Sequence, residues 1–130
     1  MTRTEIKDSI KDWNVLFVDD EAFVVDTMKE ILPMLFKNSF FALNGLEGIE
    51  VCKNNDIDII ITDISMPKMN GIDMLKVIKK LKPSIKIICV SGHNESNFMD
   101  EAKILEATFI IKPISSSVLY SAIEQHLQVV

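Results

Sequence analysis

The chain has 130 residues, of which 48% are hydrophobic and 25% are charged, and this is typical of a single globular domain with one core. Its formal net charge of -5 argues against direct binding of nucleic acid or of an anionic membrane by this chain. The sequence contains neither a signal-peptide core nor an apolar stretch near the roughly 20 residues of a membrane span. We therefore expect a cytoplasmic protein.

Five short apolar runs predict five buried strands along the chain. In chain order they are NVLFV (14–18), SFFAL (39–43), IDIIIT (57–62), IKIICV (85–90) and TFII (108–111). Most positions in these runs are apolar, without the alternation that marks a strand with one face in water. This pattern is typical of a parallel sheet that is covered on both faces.

A segment with helical spacing of apolar residues follows each predicted strand. After the first strand Val24, Met28, Ile31 and Leu35 share one face, and Pro33 is expected to kink or end this helix because it lacks a backbone donor. Asn44-Gly45 could form a hairpin turn, but the spacing of the residues that follow favours a helix. The apolar positions of the later helices are Leu46, Ile49 and Cys52; Leu75, Ile78 and Leu81; Phe98, Ala102 and Leu105; and Leu119, Ala122 and Ile123. Alternating strands and helices predict a doubly wound α/β fold.

Polar residues end four of the five predicted strands. They are Asp19, Asp20 and Glu21 after the first strand, Asp63 after the third, Ser91 after the fourth and Lys112 after the fifth. Ligands of an open parallel sheet bind at the carboxyl ends of its strands. We therefore expect these carboxylates, the hydroxyl and the ammonium group to meet at one edge of the sheet.

Taken singly, each group also has a purely structural interpretation. The acidic residues at 19–21 could cap the following helix and complement its dipole. Ser91 before Gly92 could serve a turn. These alternatives stay open for the individual residues, but the combined placement favours a reaction site.

Four motifs resemble those of the receiver domain of bacterial two-component response regulators. They are VDDE (18–21), DISMPKMNG (63–71), VSG (90–92) and IKP (111–113). The resemblance implies a flavodoxin-like (βα)5 fold with a five-stranded parallel sheet in the order 2-1-3-4-5 and helices on both faces. It also divides the chain into an N-terminal extension, residues 1–13, and a receiver domain, residues 14–130.

The resemblance implies a phosphoacceptor and a magnesium site. Asp63 would accept the phosphoryl group. Asp20, Asp63 and the backbone carbonyl of Ser65 would bind Mg2+ directly, whereas Asp19 would act through a water molecule. Lys112 would hold a phosphoryl oxygen. Clustered carboxylates favour a divalent cation, and hard oxygen ligands suit Mg2+.

The resemblance further implies a switch and a set of partners. Ser91 would supply the switch hydroxyl and Phe109 the switch aromatic, altering the surface of the last two helices and the fifth strand. The partners would be a sensor histidine kinase or phosphotransfer protein, and a downstream protein or a C-terminal output domain. We expect a signalling domain that promotes only its own phosphorylation and dephosphorylation, rather than an enzyme.

A magnesium-dependent aspartyl-phosphate phosphatase is the alternative. That class also has a nucleophilic aspartate at the end of a strand, but it expects a second aspartate two residues later, where this chain has Ser65. The motif around Lys112 adds one geometric expectation, a cis peptide bond between Lys112 and Pro113, against a base rate of about 5 to 6% for bonds before proline.

Overall fold

A computed structural model describes residues 1–92 and 98–127 of the chain. The strands are β1 (Asn14–Val18), β2 (Asn38–Ala42), β3 (Ile59–Asp63), β4 (Lys86–Ser91) and β5 (Thr108–Ile111). The α-helices within the described residues are α1 (Arg3–Ile10), α2 (Ala22–Ile31), α3 (Gly45–Asn54), α4 (Gly71–Leu81), α5 (Met99–Ile104) and α6 (Ser116–Leu127). A short 3-10 helix, Leu32–Met34, follows α2.

The five strands form one parallel sheet in the order β2-β1-β3-β4-β5. This confirms the predicted fold. The strand order reverses at β1, because β2 lies on one side of it and β3 on the other. Such a reversal opens a crevice at the carboxyl ends of β1 and β3, where ligands of this class of fold bind.

Helices cover the two faces of the sheet and bury two hydrophobic clusters. One cluster joins α1, α2 and α6 to side chains such as Phe17, Ile61 and Ile88. The other joins α3, α4 and α5 to side chains such as Leu16 and Ile60. Since both faces are covered, most positions of the strands are apolar, as the sequence predicts.

Helix α1 lies in the segment that the sequence analysis treats as an N-terminal extension. Thr2 and Glu5 form a capping box, in which the Thr2 hydroxyl accepts a hydrogen bond from the Glu5 amide and the Glu5 carboxylate accepts one from the Thr2 amide. Ile6 and Ile10 are buried in the core beside α2 and α6. The spacing Thr-x-x-Glu is a sequence signal for this helix.

Helix α2 ends where the proline predicts. It stops at Ile31, and Pro33 lies in the 3-10 helix that follows. The buried side chains are Val25, Met28 and Leu32, whereas Ile31 is 40% exposed, so the buried face is rotated from the predicted one. Among the described residues, none of the helices is long and apolar enough to cross a bilayer.

Candidate functional site

Three carboxylates meet at the carboxyl end of the sheet. Asp63 is the last residue of β3, and Asp19 follows β1 in the adjacent strand. Asp19, Asp20 and Asp63 each contribute an oxygen atom to a group whose members lie within 4.8 Å of one another. Asp19 and Asp63 are only 1% and 2% exposed, whereas Asp20 is exposed. The structure therefore brings together three residues that lie up to 44 positions apart in the sequence.

The environment of Asp19 disfavours its charged form. Burial raises the pKa of Asp19 to about 6, and the neighbouring charges of Asp63 and Asp20 add to the rise. The backbone amide of Glu21 acts in the opposite direction, because it donates a hydrogen bond of 2.9 Å to Asp19 Oδ1. Excess negative charge is thus concentrated at this edge.

Lys112 supplies a positive charge to the same cluster. Its Nζ donates a hydrogen bond of 2.9 Å to Asp63 Oδ2. Burial alone would lower the pKa of Lys112, but the hydrogen bond and charge of Asp63, together with the charges of Asp19 and Glu21, raise it. The Lys112–Pro113 peptide bond is cis, which confirms the prediction.

Ser91 and Phe109 lie on neighbouring strands. Ser91 ends β4 and is 4% exposed, and its carbonyl oxygen accepts a hydrogen bond of 2.8 Å from the Lys112 amide. Ser91 pairs with Ile111 of β5, and Phe109 pairs with Cys89 two residues earlier. Because side chains alternate along a strand, this register puts Ser91 and Phe109 on the same face of the sheet.

Ser65 lies in the exposed loop between β3 and α4, two residues after Asp63. Two backbone hydrogen bonds of Ile64 hold the start of this loop. The Ile64 amide donates to the Val90 carbonyl oxygen at 3.2 Å, and the Ile64 carbonyl oxygen accepts from the Gly71 amide at 2.7 Å. The bonds bring the start of α4 against the end of β3.

Two residues beside Asp63 have contacts that the strand-end pattern does not indicate. Thr62 is fully buried, and its hydroxyl donates a hydrogen bond of 2.9 Å to the carbonyl oxygen of Asp63. A Cβ atom added to Gly71 would lie 2.2 Å from that same oxygen, so only glycine allows this approach. The sequence offers a weak signal for the second contact, a glycine opening the helix after the Asp63 loop.

The carboxylate cluster fits a magnesium ion. The donors are hard anionic oxygens, two of the carboxylates are buried, and burial, with a smaller contribution from the charges of Asp63 and Asp20, raises the pKa of Asp19 and so disfavours its charged form. A divalent cation would offset this cost. Few protein ligands are available, which also suits Mg2+ because it retains several water molecules.

The chain belongs to the response regulator receiver domain family, whose model matches residues 15–124. It is similar to the chemotaxis protein CheY of Thermotoga maritima, with 38% identity over 113 residues, 85% of this chain and 94% of that protein. It is also similar to a chain in the crystal structure of the CheX-CheY-BeF3-Mg+2 complex from Borrelia burgdorferi, at 31% identity and a TM-score of 0.81, covering 92% of each chain. The chain is thus a receiver domain of the CheY-like two-component response regulators.

Relatives differ in how much of their length this chain spans. It matches 12% of the autoinducer 1 sensor kinase/phosphatase LuxN of Vibrio campbellii, at 35% identity over 105 residues. Similar receiver sequences thus occur both in short proteins and within much longer ones.

Proposed function

We propose that Asp63 is the phosphoacceptor of this receiver domain and takes its phosphoryl group from a phosphohistidine of a sensor histidine kinase or phosphotransfer protein. One observation carries the assignment: the ammonium group of Lys112 lies 2.9 Å from a buried carboxylate oxygen of Asp63, beside the carboxylates of Asp19 and Asp20. These groups supply a nucleophile, a cation and a metal site at one edge.

In the proposed transfer, an Asp63 carboxylate oxygen attacks the phosphorus atom. An O–P bond forms as the N–P bond to the donor histidine breaks, and the imidazole leaves with the bonding electrons. The product is an acyl phosphate. Lys112 orients a phosphoryl oxygen and neutralises part of its charge.

Asp20, Asp63 and the Ser65 carbonyl would hold Mg2+, with Asp19 acting through a water molecule. The bound ion would neutralise charge on the phosphoryl oxygens and help align the transfer. Asp19 and Asp20 therefore serve metal binding, whereas Asp63 serves both metal binding and attack.

Ser91 and Phe109 would then convert the acyl phosphate into a surface change. The Ser91 hydroxyl would donate a hydrogen bond to a phosphoryl oxygen, drawing its strand end inward. Phe109, which is partly buried on the same face, would move into the space that this vacates. The affected surface would be formed by α5, β5 and α6, where a downstream protein or an output domain would bind. We place this exchange in the cytoplasm.

The test is intact mass after incubation with acetyl phosphate and Mg2+. The wild type should gain one phosphoryl group, whereas Asp63→Asn should gain none because an amide is not a nucleophile. Asp56→Asn is the matched control, since Asp56 is exposed and lies in the loop before β3, at the opposite end of that strand. It should be labelled like the wild type.

Equal labelling of the wild type and Asp63→Asn would remove Asp63 from its role. Sustained turnover of p-nitrophenyl phosphate, beyond one phosphate per chain, would instead favour the aspartyl-phosphate phosphatase alternative.

A further inference from the structure

A cleft of about 500 Å³ lies between α1, α2 and the start of α6. Its apolar lining includes the buried side chains of Met28, Leu35 and Leu119. Ile31 and Met34 also line it and are 40% and 73% exposed. A volume of this size is within the range of small-molecule sites, which are about 300–1,000 Å³. The cleft can therefore bury an apolar group of moderate size.

Among the residues that the structure describes, every charged residue that lines this cleft is basic. The two are Arg3 and Lys7, both on α1. Within residues 1–92 and 98–127, no carboxylate lies within 4.0 Å of either cation. On a chain with a net charge of -5, this is a local positive site beside an apolar surface.

The Arg3 guanidinium is held in place at the edge of the cleft. It donates a hydrogen bond of 3.0 Å to Ser117 Oγ and lies 4.8 Å from the centre of the Tyr120 ring. A guanidinium has five N–H donors, so this arrangement orients the group while leaving it the capacity to bind a carboxylate through two parallel hydrogen bonds. The orientation is fixed before any ligand arrives, which lowers the entropic cost of binding.

The family match does not account for this cleft. The match begins at residue 15, whereas the wall that carries both cations is α1, Arg3–Ile10. The cleft therefore combines a surface of the receiver fold with a helix that the family model leaves out.

We propose that this cleft binds a small amphipathic anion: a carboxylate head that pairs with Arg3 and Lys7, carrying an unbranched apolar tail that lies against Met28 and Leu119. The head requires charge-assisted hydrogen bonds at the α1 edge. The tail requires an apolar surface, which the space between α2 and α6 supplies. Neither Asp63 nor a metal ion takes part, so the proposal stands independently of phosphoryl transfer.

The cleft is adjacent to the phosphoacceptor edge. Thr27, Met28 and Ile114 line it and also line a smaller cleft of about 300 Å³ that contains Asp19 and Lys112. A ligand in the larger cleft would therefore lie against the segment that follows Lys112. Amide signals of Ile114 should respond to binding.

Decanoate is a suitable probe, and decanol is its uncharged counterpart. Titrating decanoate, below its micelle-forming concentration, into 15N-labelled full-length protein should shift amide signals of α1, α2 and the start of α6 in a saturable way. Arg3→Gln/Lys7→Gln should weaken decanoate binding at least about tenfold, because a hydrogen bond to a charged group contributes about a factor of ten or more to affinity. The same variant should leave decanol binding nearly unchanged, because decanol carries no charge.

Two further variants separate charge from location. Lys11→Gln/Lys53→Gln also removes two positive charges, from exposed positions that do not line the cleft, and should bind decanoate like the wild type. Thr27→Trp adds bulk at an exposed lining position and should block both probes. Chemical denaturation of each variant checks that the fold is retained.

Three results would overturn the proposal. The first is no saturable shift with decanoate in the wild type. The second is equal decanoate affinity in the wild type and Arg3→Gln/Lys7→Gln. The third is unimpaired binding by Thr27→Trp, which would place the ligand elsewhere.

Discussion

Replacing Gly71 with alanine should displace the backbone of Asp63, the proposed phosphoacceptor. Gly71 opens α4, and an added Cβ would lie 2.2 Å from the Asp63 carbonyl oxygen and 3.0 Å from Ile64 Cα. Real Cβ contacts essentially never fall below 3.0 Å, so the backbone must separate by at least 0.8 Å. Because the obstructing atoms are backbone, no change of rotamer can relieve the overlap.

The expected effect on stability is the net of two contributions. Overpacking costs about 1–3 kcal/mol, while alanine in a helix is favoured over glycine by up to about 1 kcal/mol. Gly71 does not have a positive φ angle, so the backbone conformation itself accepts alanine. The net loss in the free energy of unfolding should therefore lie between about 0 and 3 kcal/mol, with roughly 1–2 kcal/mol in the middle of that range.

The expected effect on phosphorylation is larger. Displacing a reacting group by about 1 Å can reduce a rate by on the order of 100-fold. The assay is the rate of mass gain with acetyl phosphate and Mg2+, measured beside urea unfolding. Gly71→Ala should therefore lose more in rate than its fraction of folded protein accounts for.

Gly45→Ala is the matched control. Gly45 also opens a helix after an asparagine cap, but the three heavy atoms nearest to its added Cβ all belong to the side chain of Met69, at 3.1–3.2 Å. These distances require a shift of only a few tenths of an ångström, most of which the flexible end of the methionine side chain can supply. Gly45→Ala should therefore be phosphorylated at the wild-type rate. Wild-type stability and rate in Gly71→Ala would refute the argument from close approach.

Three other changes test separate parts of the molecule. Ser91→Ala should still be phosphorylated but should lose most of the beryllofluoride-induced amide shifts across α5, β5 and α6; full-sized shifts would contradict the proposed switch. Asp20→Asn should weaken Mg2+ binding and slow phosphorylation, because an anionic ligand is lost, and unchanged affinity by titration calorimetry would count against its role. The pKa of His126 is lowered, chiefly by burial, and its Nε2 lies 2.9 Å from the Ile87 carbonyl oxygen. As the pH falls below the usual pKa of 6.5, the folded state therefore binds fewer protons than the unfolded state. Stability contributed by neutral His126 should therefore be lost as pH falls below 6.5, and denaturation at about pH 7.5 and 5.5 should show a smaller loss in His126→Gln than in the wild type.

The strands and most of the helices could be predicted from local pattern. Apolar runs predicted the five strands. The helical spacing of apolar residues favoured a helix after Asn44-Gly45, and the Asn44 side chain accepts a hydrogen bond from the Glu47 amide at the start of that helix. These features depend on residues close together in the sequence. The buried face of α2 was rotated from the prediction, because Val24 and Val25 both fit helical spacing and only packing against the sheet selects between them.

The acidic edge could be predicted because a parallel sheet brings the carboxyl ends of its strands together. Residue type and strand position alone were enough to group Asp19, Asp20 and Asp63 with Lys112. Two properties of the edge depended on distances across the fold instead. These are the raised pKa of Asp19, which burial causes, and the close approach of Gly71 to Asp63.

Local patterns were sufficient to predict the parallel α/β architecture and the chemical groups at its carboxyl edge, since periodicity and strand-end position are local properties. The packing of α1 depended on the folded chain: Ile6 and Ile10 join the core, and Arg3 and Lys7 therefore border a cleft beside α2 and α6. The capping box indicates that α1 can form, but not where it packs. Its position depends on complementary surfaces more than a hundred residues apart in the chain, as in the hydrogen bond between Arg3 and Ser117. No local pattern encodes that separation.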